Sequence, residues 1–344
     1  TKTYITMSIW RVKPISAFEA DMKKSTLKRV LGKWSLTAIG VGAIIGGGIF
    51  VLTGTGAYYH AGPALAISFI IAGIACVFAA LCYSEFASIL PVEGSAYAYA
   101  YGTIGEIFAW IIGWGLILEY AMGSMTVAVS WSGYFNKLLL KFGISLPDWL
   151  TTDPASYTGE GFSMNLPAFL IVLFVISILI KGTQNAAKAN NMIVILKVSA
   201  VLFVIIAGAF FINLDNWSPF IPEATQIVEK ETTHNAYGFT GIISGAAAIF
   251  FAYVGFDAVS TQAGEAKNPK KDVPFAIIAS LLICTLLYIL VSLVLTGMMN
   301  YTDFNPLGKY PDAIKAPVAY AFDIAGQAWA GYIITIAATV GLIS

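Results

Sequence analysis

Apolar residues fill the chain in long runs, and polar segments of varied length separate these runs. Runs of this length match the thickness of a bilayer crossed by an α-helix. The last run reaches Ser344 without a polar flank, so we expect the chain to be a piece of a longer protein. The pattern predicts eight membrane spans, at about 36–58, 65–90, 103–136, 164–181, 190–212, 239–264, 273–299 and 326–344.

The composition supports a membrane protein. Hydrophobic residues make up 58% of the chain and charged residues 11%, whereas soluble domains carry about 25% charged residues. The formal net charge is zero, which gives no sign of a nucleic-acid partner. The three cysteines, Cys76, Cys82 and Cys284, lie inside apolar runs without metal-site or disulfide spacing, so we expect no bound metal.

Residues 1–34 are polar and basic, and they lack the apolar core of a signal peptide. We predict that this segment is a cytosolic tail. With the tail inside, most lysines and arginines of the predicted loops fall on the inner side, as the positive-inside rule expects.

The first span contains three consecutive glycines, at residues 46–48. Each glycine inside a helix costs about 1 kcal/mol relative to alanine, so the helix is expected to open there. Where a membrane helix opens, protein, water or a ligand must form hydrogen bonds with the freed backbone N–H and C=O groups. Such an opening is typical of solute sites in secondary transporters. The alternative is a face of small residues where two membrane helices pack closely.

A second break is predicted in the sixth span, where Gly255 and Asp257 lie near the middle. Two interrupted helices five spans apart are typical of an inverted repeat. This pattern favours a solute site at the glycine run over a face of small residues where two helices pack. We therefore predict a first repeat over 35–213, followed over 214–344 by an outer loop and an incomplete second repeat. We also expect Asp257 to cap the half-helix that follows it.

The ends of broken helices indicate what such a site binds. A half-helix that starts after Gly48 presents free N–H groups to an anion such as a carboxylate. A half-helix that ends near Phe251 presents free carbonyl groups to an ammonium group. One anion site beside one cation site fits an α-amino acid.

Glu119 and Lys197 are ionisable residues that also lie deep inside predicted spans. A charge at bilayer depth costs about 2.5–3.5 kcal/mol or more, so such residues usually face a cavity or a partner. Lys197 could instead extend to the inner headgroups, and Glu119 could be a hydrogen-bond anchor between helices. Because burial shifts the proton equilibrium of an ammonium group, we expect Lys197 to gain and lose a proton.

Several motifs in order resemble the amino acid–polyamine–organocation superfamily. They are residues 27–32 with 40–50, residues 91–97 after the second span, and residues 251–257 in the sixth. Glu119 and Lys197 resemble the cationic amino acid transporter branch and its bacterial relatives. The resemblance covers the chain from about Leu27 to its end.

This resemblance implies an all-α polytopic protein with the five-plus-five inverted repeat of the leucine-transporter type, truncated in the second repeat. It implies that Lys197 takes the place of a sodium ion and couples transport to protons. In that place the charged lysine is expected to bond to carbonyls near Ile45 and Gly46, as a bound cation would. Where Gly47 stands, the family often has serine or threonine, so the substrate carboxylate is expected to rely on backbone amides alone. The implied substrate-binding residues are Ile44, Gly46, Gly47, Gly48, Phe251, Ala252, Val254 and Glu119.

We therefore predict a proton-coupled amino acid importer with alternating access, and not an enzyme. The expected partners are an amino acid substrate and the lipid bilayer, with no nucleic acid and no nucleotide. No cofactor is expected, and the proton is the coupling ion. The protein is expected in the plasma membrane, which in a bacterium is the inner membrane, with a cytoplasmic N-terminus. An obligate exchanger and a non-transporting amino acid receptor stay open as alternatives.

Overall fold

The computed structural model describes residues 10–24, 29–154, 156–157, 159–180, 183–229 and 232–343. Helices dominate this part of the chain. Their bounds are α1 Ile15–Lys24, α2 Lys33–Ile44, α3 Gly47–Phe50, α4 Leu52–Gly56, α5 Leu65–Ile89, α6 Ser95–Thr103, α7 Glu106–Lys141, α8 Leu166–Ile180, α9 Thr183–Gly208, α10 Gly238–Ile249, α11 Ala258–Thr261, α12 Pro269–Met298, α13 Pro317–Ile324 and α14 Ala328–Gly341.

The predicted spans and the observed helices agree in position. Helices α5, α7, α8, α9, α12 and α14 match the second, third, fourth, fifth, seventh and eighth spans, and every end agrees within seven residues. In the described residues, the helical stretches long and apolar enough to cross a membrane are Leu52–Ile89, Glu106–Lys141, Met192–Phe211, Gly238–Glu265 and Pro269–Met298. Helices α8 and α14 are apolar but shorter. The chain is therefore a multi-pass membrane protein.

A small β-hairpin departs from the predicted all-α class. Strands β1 Thr225–Glu229 and β2 Thr232–Ala236 pair antiparallel in the segment that we expected to be an outer loop. The register pairs Thr225 with Ala236 and Glu229 with Thr232. Threonine, isoleucine and valine are residues that favour strands, but the run is too short and polar to stand out beside the apolar spans.

The chain divides into two compact units, each made of segments that are distant in sequence. The smaller unit consists of the residues up to Ala43, Cys76–Gly123 and Val254–Leu282. In this unit the amide of Leu31 donates to the carbonyl oxygen of Glu265 at 2.9 Å, and the amide of Lys267 donates to that of Leu31 at 2.8 Å. The division into two repeats stays a prediction, since packed units can combine segments of both repeats.

The larger unit consists of Ile44–Ala75, Ser124–Tyr253 and the residues from Ile283 onward. Its core includes the fully buried rings of Phe69, Tyr253 and Tyr288, whose centroids lie 5.3–6.4 Å apart. At one end of α7, Lys137 Nζ lies 2.6 Å from Asp323 Oδ2 in α13, and Lys141 Nζ lies 3.0 Å from Asp323 Oδ1. These ion pairs join α7 to α13.

Candidate functional site

The first predicted span is interrupted at its glycine run. Helix α2 ends at Ile44, Ile45 and Gly46 lie outside any helix, and helical geometry resumes at Gly47. The continuation is not one regular half-helix, because a turn at Val51 separates α3 from α4 and a π-helical turn follows over Ala57–Ala61. The expected opening is present. The expected helix dipole is weaker, so an anion here would be held by individual N–H groups.

Each glycine of the run has a different neighbourhood in the larger unit. A methyl group added at Gly48 would lie 2.6 Å from Ala252 Cβ and 2.8 Å from Ala252 Cα. One added at Gly47 would lie 2.5 Å from Ser130 Oγ, whereas one at Gly46 would meet only Val127 Cγ2 at 3.5 Å. Gly48 is therefore a packing contact between the two interrupted helices, and Gly46 has room beside it.

The second interruption follows α10. The helix ends at Ile249, a 3₁₀ turn covers Phe250–Tyr253, and helical geometry returns only at Ala258. Ala252 and Tyr253 are buried, and Phe251 is half-buried. The helix therefore opens close to Phe251, as the sequence predicts, and Ala252 brings this opening against Gly48.

A single tyrosine joins the carbonyl groups at both interruptions. Tyr288 Oη, from α12, lies 2.8 Å from the carbonyl oxygen of Ile44 and 2.8 Å from that of Ala252. A phenol has one proton to donate. Because two carbonyl oxygens share this proton, acceptor capacity is left at the point where the two helices open.

Lys197 is directed toward the first interruption. Its side chain is only 2% exposed, and Nζ donates a hydrogen bond of 2.8 Å to the carbonyl oxygen of Ile45. The aliphatic part of Lys197 packs closely against α14, where a methyl group added at Gly341 would lie 2.9 Å from Lys197 Cγ. The predicted bond to the opened helix is present, and the side chain is buried inside the protein. Its role in proton coupling stays a prediction.

Further buried tyrosines fix the surroundings of the interruptions. Tyr134 Oη in α7 donates to the carbonyl oxygen of Phe50 at 2.8 Å, and Tyr253 Oη donates to that of Phe69 at 2.9 Å. Sequence reasoning missed Tyr134, Tyr253, Tyr288 and Ser130. The available signal was a polar group inside an apolar span, since a buried hydroxyl usually finds a partner.

Two predicted site residues, Glu119 and Val254, lie in the smaller unit, where both are half-buried. In that unit Asp257 is 3% exposed, and its Oδ2 accepts hydrogen bonds from Ser95 Oγ at 3.0 Å and Tyr120 Oη at 2.6 Å. Asp257 occupies the N-cap position of α11, but its side chain makes no capping hydrogen bond. The predicted cap is therefore wrong, because hydroxyl donors from α6 and α7 take the carboxylate instead.

Interrupted helices held by buried polar side chains, within a chain of long apolar helices, define a membrane transport protein of the permease type. Comparison with known proteins agrees: the profile of the amino acid permease family matches residues 31–344. The chain therefore belongs to the amino acid permease family. This family resemblance was predicted from the sequence motifs, and it is confirmed.

Three relatives show the range of the family. A methylthioribose transporter of Bacillus subtilis is 44% identical over 97% of this chain and 68% of its own length. The branched-chain amino acid permease BcaP of the same organism is 46% identical over 97% of this chain and 68% of its own. Cationic amino acid transporter 3, mitochondrial, of Arabidopsis thaliana is 39% identical over 90% of this chain and 48% of its own. The chain thus spans about two-thirds of the bacterial relatives and about half of the plant relative. These relatives are named as transporters and a permease, so the chain is similar to transport proteins and not to enzymes.

Proposed function

We propose that the protein imports amino acids across the plasma membrane by proton symport, with alternating access around the two interrupted helices. One observation carries the proposal: the openings at Ile44 and Ala252 adjoin each other and share the hydroxyl of Tyr288. Broken membrane helices that meet at one point are the arrangement in which secondary transporters bind solutes.

The chemistry of the openings fits the two charged groups of an amino acid. The carbonyl oxygens of Ile44 and Ala252 share one phenol proton, so an ammonium group could donate to them as well. The amides of residues 46–48 border the same opening of the first helix, where a carboxylate could accept from them. In this arrangement the ring of Phe251 covers the site. Residues other than these would contact the side chain of the substrate.

Lys197 supplies the coupling step. When charged, it donates to the carbonyl oxygen of Ile45 and ties α9 to the end of the first helix. When neutral, it holds this carbonyl less strongly, since a charge-assisted hydrogen bond is stronger than a neutral one. Protonation would thereby favour the substrate-ready state, and loss of the proton would release the first helix and open the inner side. The N-terminus would face the cytoplasm.

The relatives leave the class of substrate to be decided by experiment. One Bacillus relative is named for methylthioribose and the other for branched-chain amino acids, whereas the plant relative is named for cationic amino acids. Methylthioribose has neither an ammonium nor a carboxylate group. Its recognition would therefore not use the two charged subsites proposed here.

The test is uptake of labelled alanine, leucine and arginine by the intact protein in proteoliposomes. We expect an inward proton gradient to drive uptake, a protonophore to stop it, and replacement of sodium by choline to leave it unchanged. Unlabelled amino acids should compete, and methylthioribose should not. Competition by methylthioribose alone would overturn the amino acid assignment. Counterflow that persists without a gradient would favour an exchanger, and binding without flux would favour a receptor.

A further inference from the structure

Ser130, in the unbroken helix α7, occupies the space that a side chain at Gly47 would fill. A Cβ atom built on Gly47 would lie 2.5 Å from Ser130 Oγ and 3.2 Å from Ser130 Cβ. Real Cβ atoms do not come this close to other heavy atoms. The hydroxyl of Ser130 therefore lies where a side chain of residue 47 would begin, directly beside the backbone of the glycine run.

The hydroxyl of Ser130 is not used by its own helix. Buried serine and threonine residues in helices usually bond to a carbonyl one turn earlier, as Thr53 does to Ile49 and Thr296 to Ser292, at 2.9 and 2.8 Å. Ser130 is only 5% exposed, yet within the described part of the chain no hydrogen bond to its Oγ is found. A polar side chain so deeply buried ordinarily has a partner.

The oxygen of Ser130 is also not fully enclosed by the protein. The fully enclosed side-chain atoms without a partner, among the residues that the structure describes, are Tyr99 Oη, Trp131 Nε1, Asn136 Oδ1 and Asp257 Oδ1. Ser130 Oγ is not one of them, so this oxygen keeps some surface that a water-sized group can touch. The nearby Ser132 differs, because its hydroxyl donates to Asn165 Oδ1 at 2.7 Å.

We infer that Ser130 donates a hydrogen bond to the carboxylate of the substrate beside the amide of Gly47. This inference rests on the proposed amino acid site. It replaces the expectation that backbone amides alone hold the carboxylate, since the hydroxyl comes from α7 instead of the broken helix. Gly47 is then required because a side chain at residue 47 would displace the hydroxyl of Ser130.

The test exchanges the hydroxyl between the two helices and measures dissociation constants in the intact protein. The variants are Ser130→Ala, Gly47→Ser and the double variant, with Ser130→Thr as the variant that keeps the hydroxyl and Ser132→Ala as the matched control. The ligands are an amino acid that the wild type binds and its carboxamide, which lacks the carboxylate charge. Thermal unfolding of each variant reports whether it is folded.

We expect Ser130→Ala to weaken binding of the amino acid about 10- to 100-fold, because hydrogen bonds to charged groups are the strong ones. Binding of the carboxamide should change much less. Gly47→Ser alone should bind poorly through the collision with Ser130, and the double variant should recover most of the affinity. Ser130→Thr and Ser132→Ala should retain the preference for the carboxylate.

Two outcomes would overturn the inference. The first is wild-type affinity in Ser130→Ala, and the second is an equal loss for the amino acid and its carboxamide. If Ser130→Ala does not fold, failure of the double variant to bind better than Gly47→Ser would overturn it as well. If the wild type itself binds no amino acid, the proposed function fails, which is a different result from a functional protein that does not need Ser130.

Discussion

The two interrupted helices open in different ways. The first opens at Ile45 and Gly46, in a glycine run, and continues as short helical turns. The second passes through a 3₁₀ turn at Phe250–Tyr253 and a further turn that contains Gly255. Gly255 has φ +109, and a methyl group there would lie 2.8 Å from the carbonyl oxygen of Ala43. This turn needs glycine for its backbone conformation as well as for a close neighbour, whereas at the first opening Gly47 and Gly48 are needed for close neighbours alone.

The hydrogen bonds at the two openings differ as well. Tyr288 reaches carbonyl oxygens at both, at Ile44 and at Ala252. The ammonium group of Lys197 reaches the first opening, at Ile45. A change of charge at Lys197 would therefore act on the first helix, whereas removal of the Tyr288 hydroxyl would act on both. If Lys197 couples transport to protons, coupling and substrate binding are therefore expected to respond to different mutations.

The largest effect is expected for Lys197→Met, which removes the charge at the first opening and keeps an apolar side chain of similar length. We expect binding of amino acids to survive in part and uptake driven by an inward proton gradient to fall to background. The measurement is uptake at several gradients in proteoliposomes beside equilibrium binding.

Lys137→Met is the matched control for this change, since it removes another buried ammonium group from the same unit, at the ion pair with Asp323. It should lower the unfolding temperature but keep the dependence of uptake on the gradient. Normal gradient-driven uptake by Lys197→Met, or sodium-dependent uptake by the wild type, would remove Lys197 from the coupling mechanism.

The next largest effect is expected for Gly48→Val. The added side chain would collide with the backbone of Ala252 and push the two openings apart. We expect loss of binding for every amino acid and a loss of stability of about 1–3 kcal/mol, the usual cost of overpacking. Gly123→Val is the control, because a methyl group at Gly123 in α7 meets nothing within 4 Å. Full binding by Gly48→Val would show that the openings need not touch.

Much of this arrangement was predictable from the sequence, because it depends on local properties. Residues 46–48 break the helix through their lack of side chains, and a lysine in an apolar span must find a polar partner. These local properties predicted the opening and a polar partner for Lys197. The family resemblance implied that this partner lies near Ile45, 152 residues away in the chain, and the structure shows both the opening and the bond.

The remaining features depend on contacts between residues far apart in the chain. Tyr288 lies 244 residues from Ile44, and nothing in its apolar surroundings indicates which carbonyl group it reaches. Gly48 was expected to be a substrate-binding residue, and nothing in the local sequence showed that a side chain at this position would collide with Ala252. Ser130 resembles any small residue of a membrane helix until its neighbour is known. Tertiary packing determines which residues Tyr288, Gly48 and Ser130 contact, and the local sequence pattern does not predict these contacts.

An intermediate effect is expected for Tyr288→Phe, which acts on both openings at once. The ring stays, so packing is kept, but the carbonyl oxygens of Ile44 and Ala252 lose a shared donor. We expect a loss of stability of about 1–3 kcal/mol, the usual cost of leaving a buried polar group without a partner.

Tyr134→Phe is the matched control in thermal or denaturant unfolding, because it removes a donor from one carbonyl oxygen, that of Phe50. Its loss of stability should be smaller, since one carbonyl group loses its donor instead of two. Equal losses for the two variants would show that Tyr288 serves only one of the openings.

A smaller effect is expected for Glu119→Gln, in the smaller unit that also contains the turn at Gly255. If Glu119 sets the polarity of the substrate region, the variant should change the preference for arginine over alanine about 10-fold, which corresponds to about 1.4 kcal/mol. The measurement is competition by both amino acids against one labelled substrate. An unchanged preference would make Glu119 a hydrogen-bond anchor between helices.

The smallest effect is expected for Gly46→Ala, at the first opening. The added methyl group would meet only Val127 Cγ2, at an ordinary contact distance of 3.5 Å, so stability should stay within about 0.5 kcal/mol of the wild type. Any change in affinity then comes from the ligand and not from packing, which makes this variant more informative than Gly48→Val. If the carboxylate approaches the amide of Gly46, the methyl group should weaken amino acid binding about threefold, or roughly 0.6 kcal/mol. Calorimetric titration can resolve this difference. Unchanged affinity would mean that Gly46 only breaks the helix and that the substrate is held further along, at Gly47 and beyond.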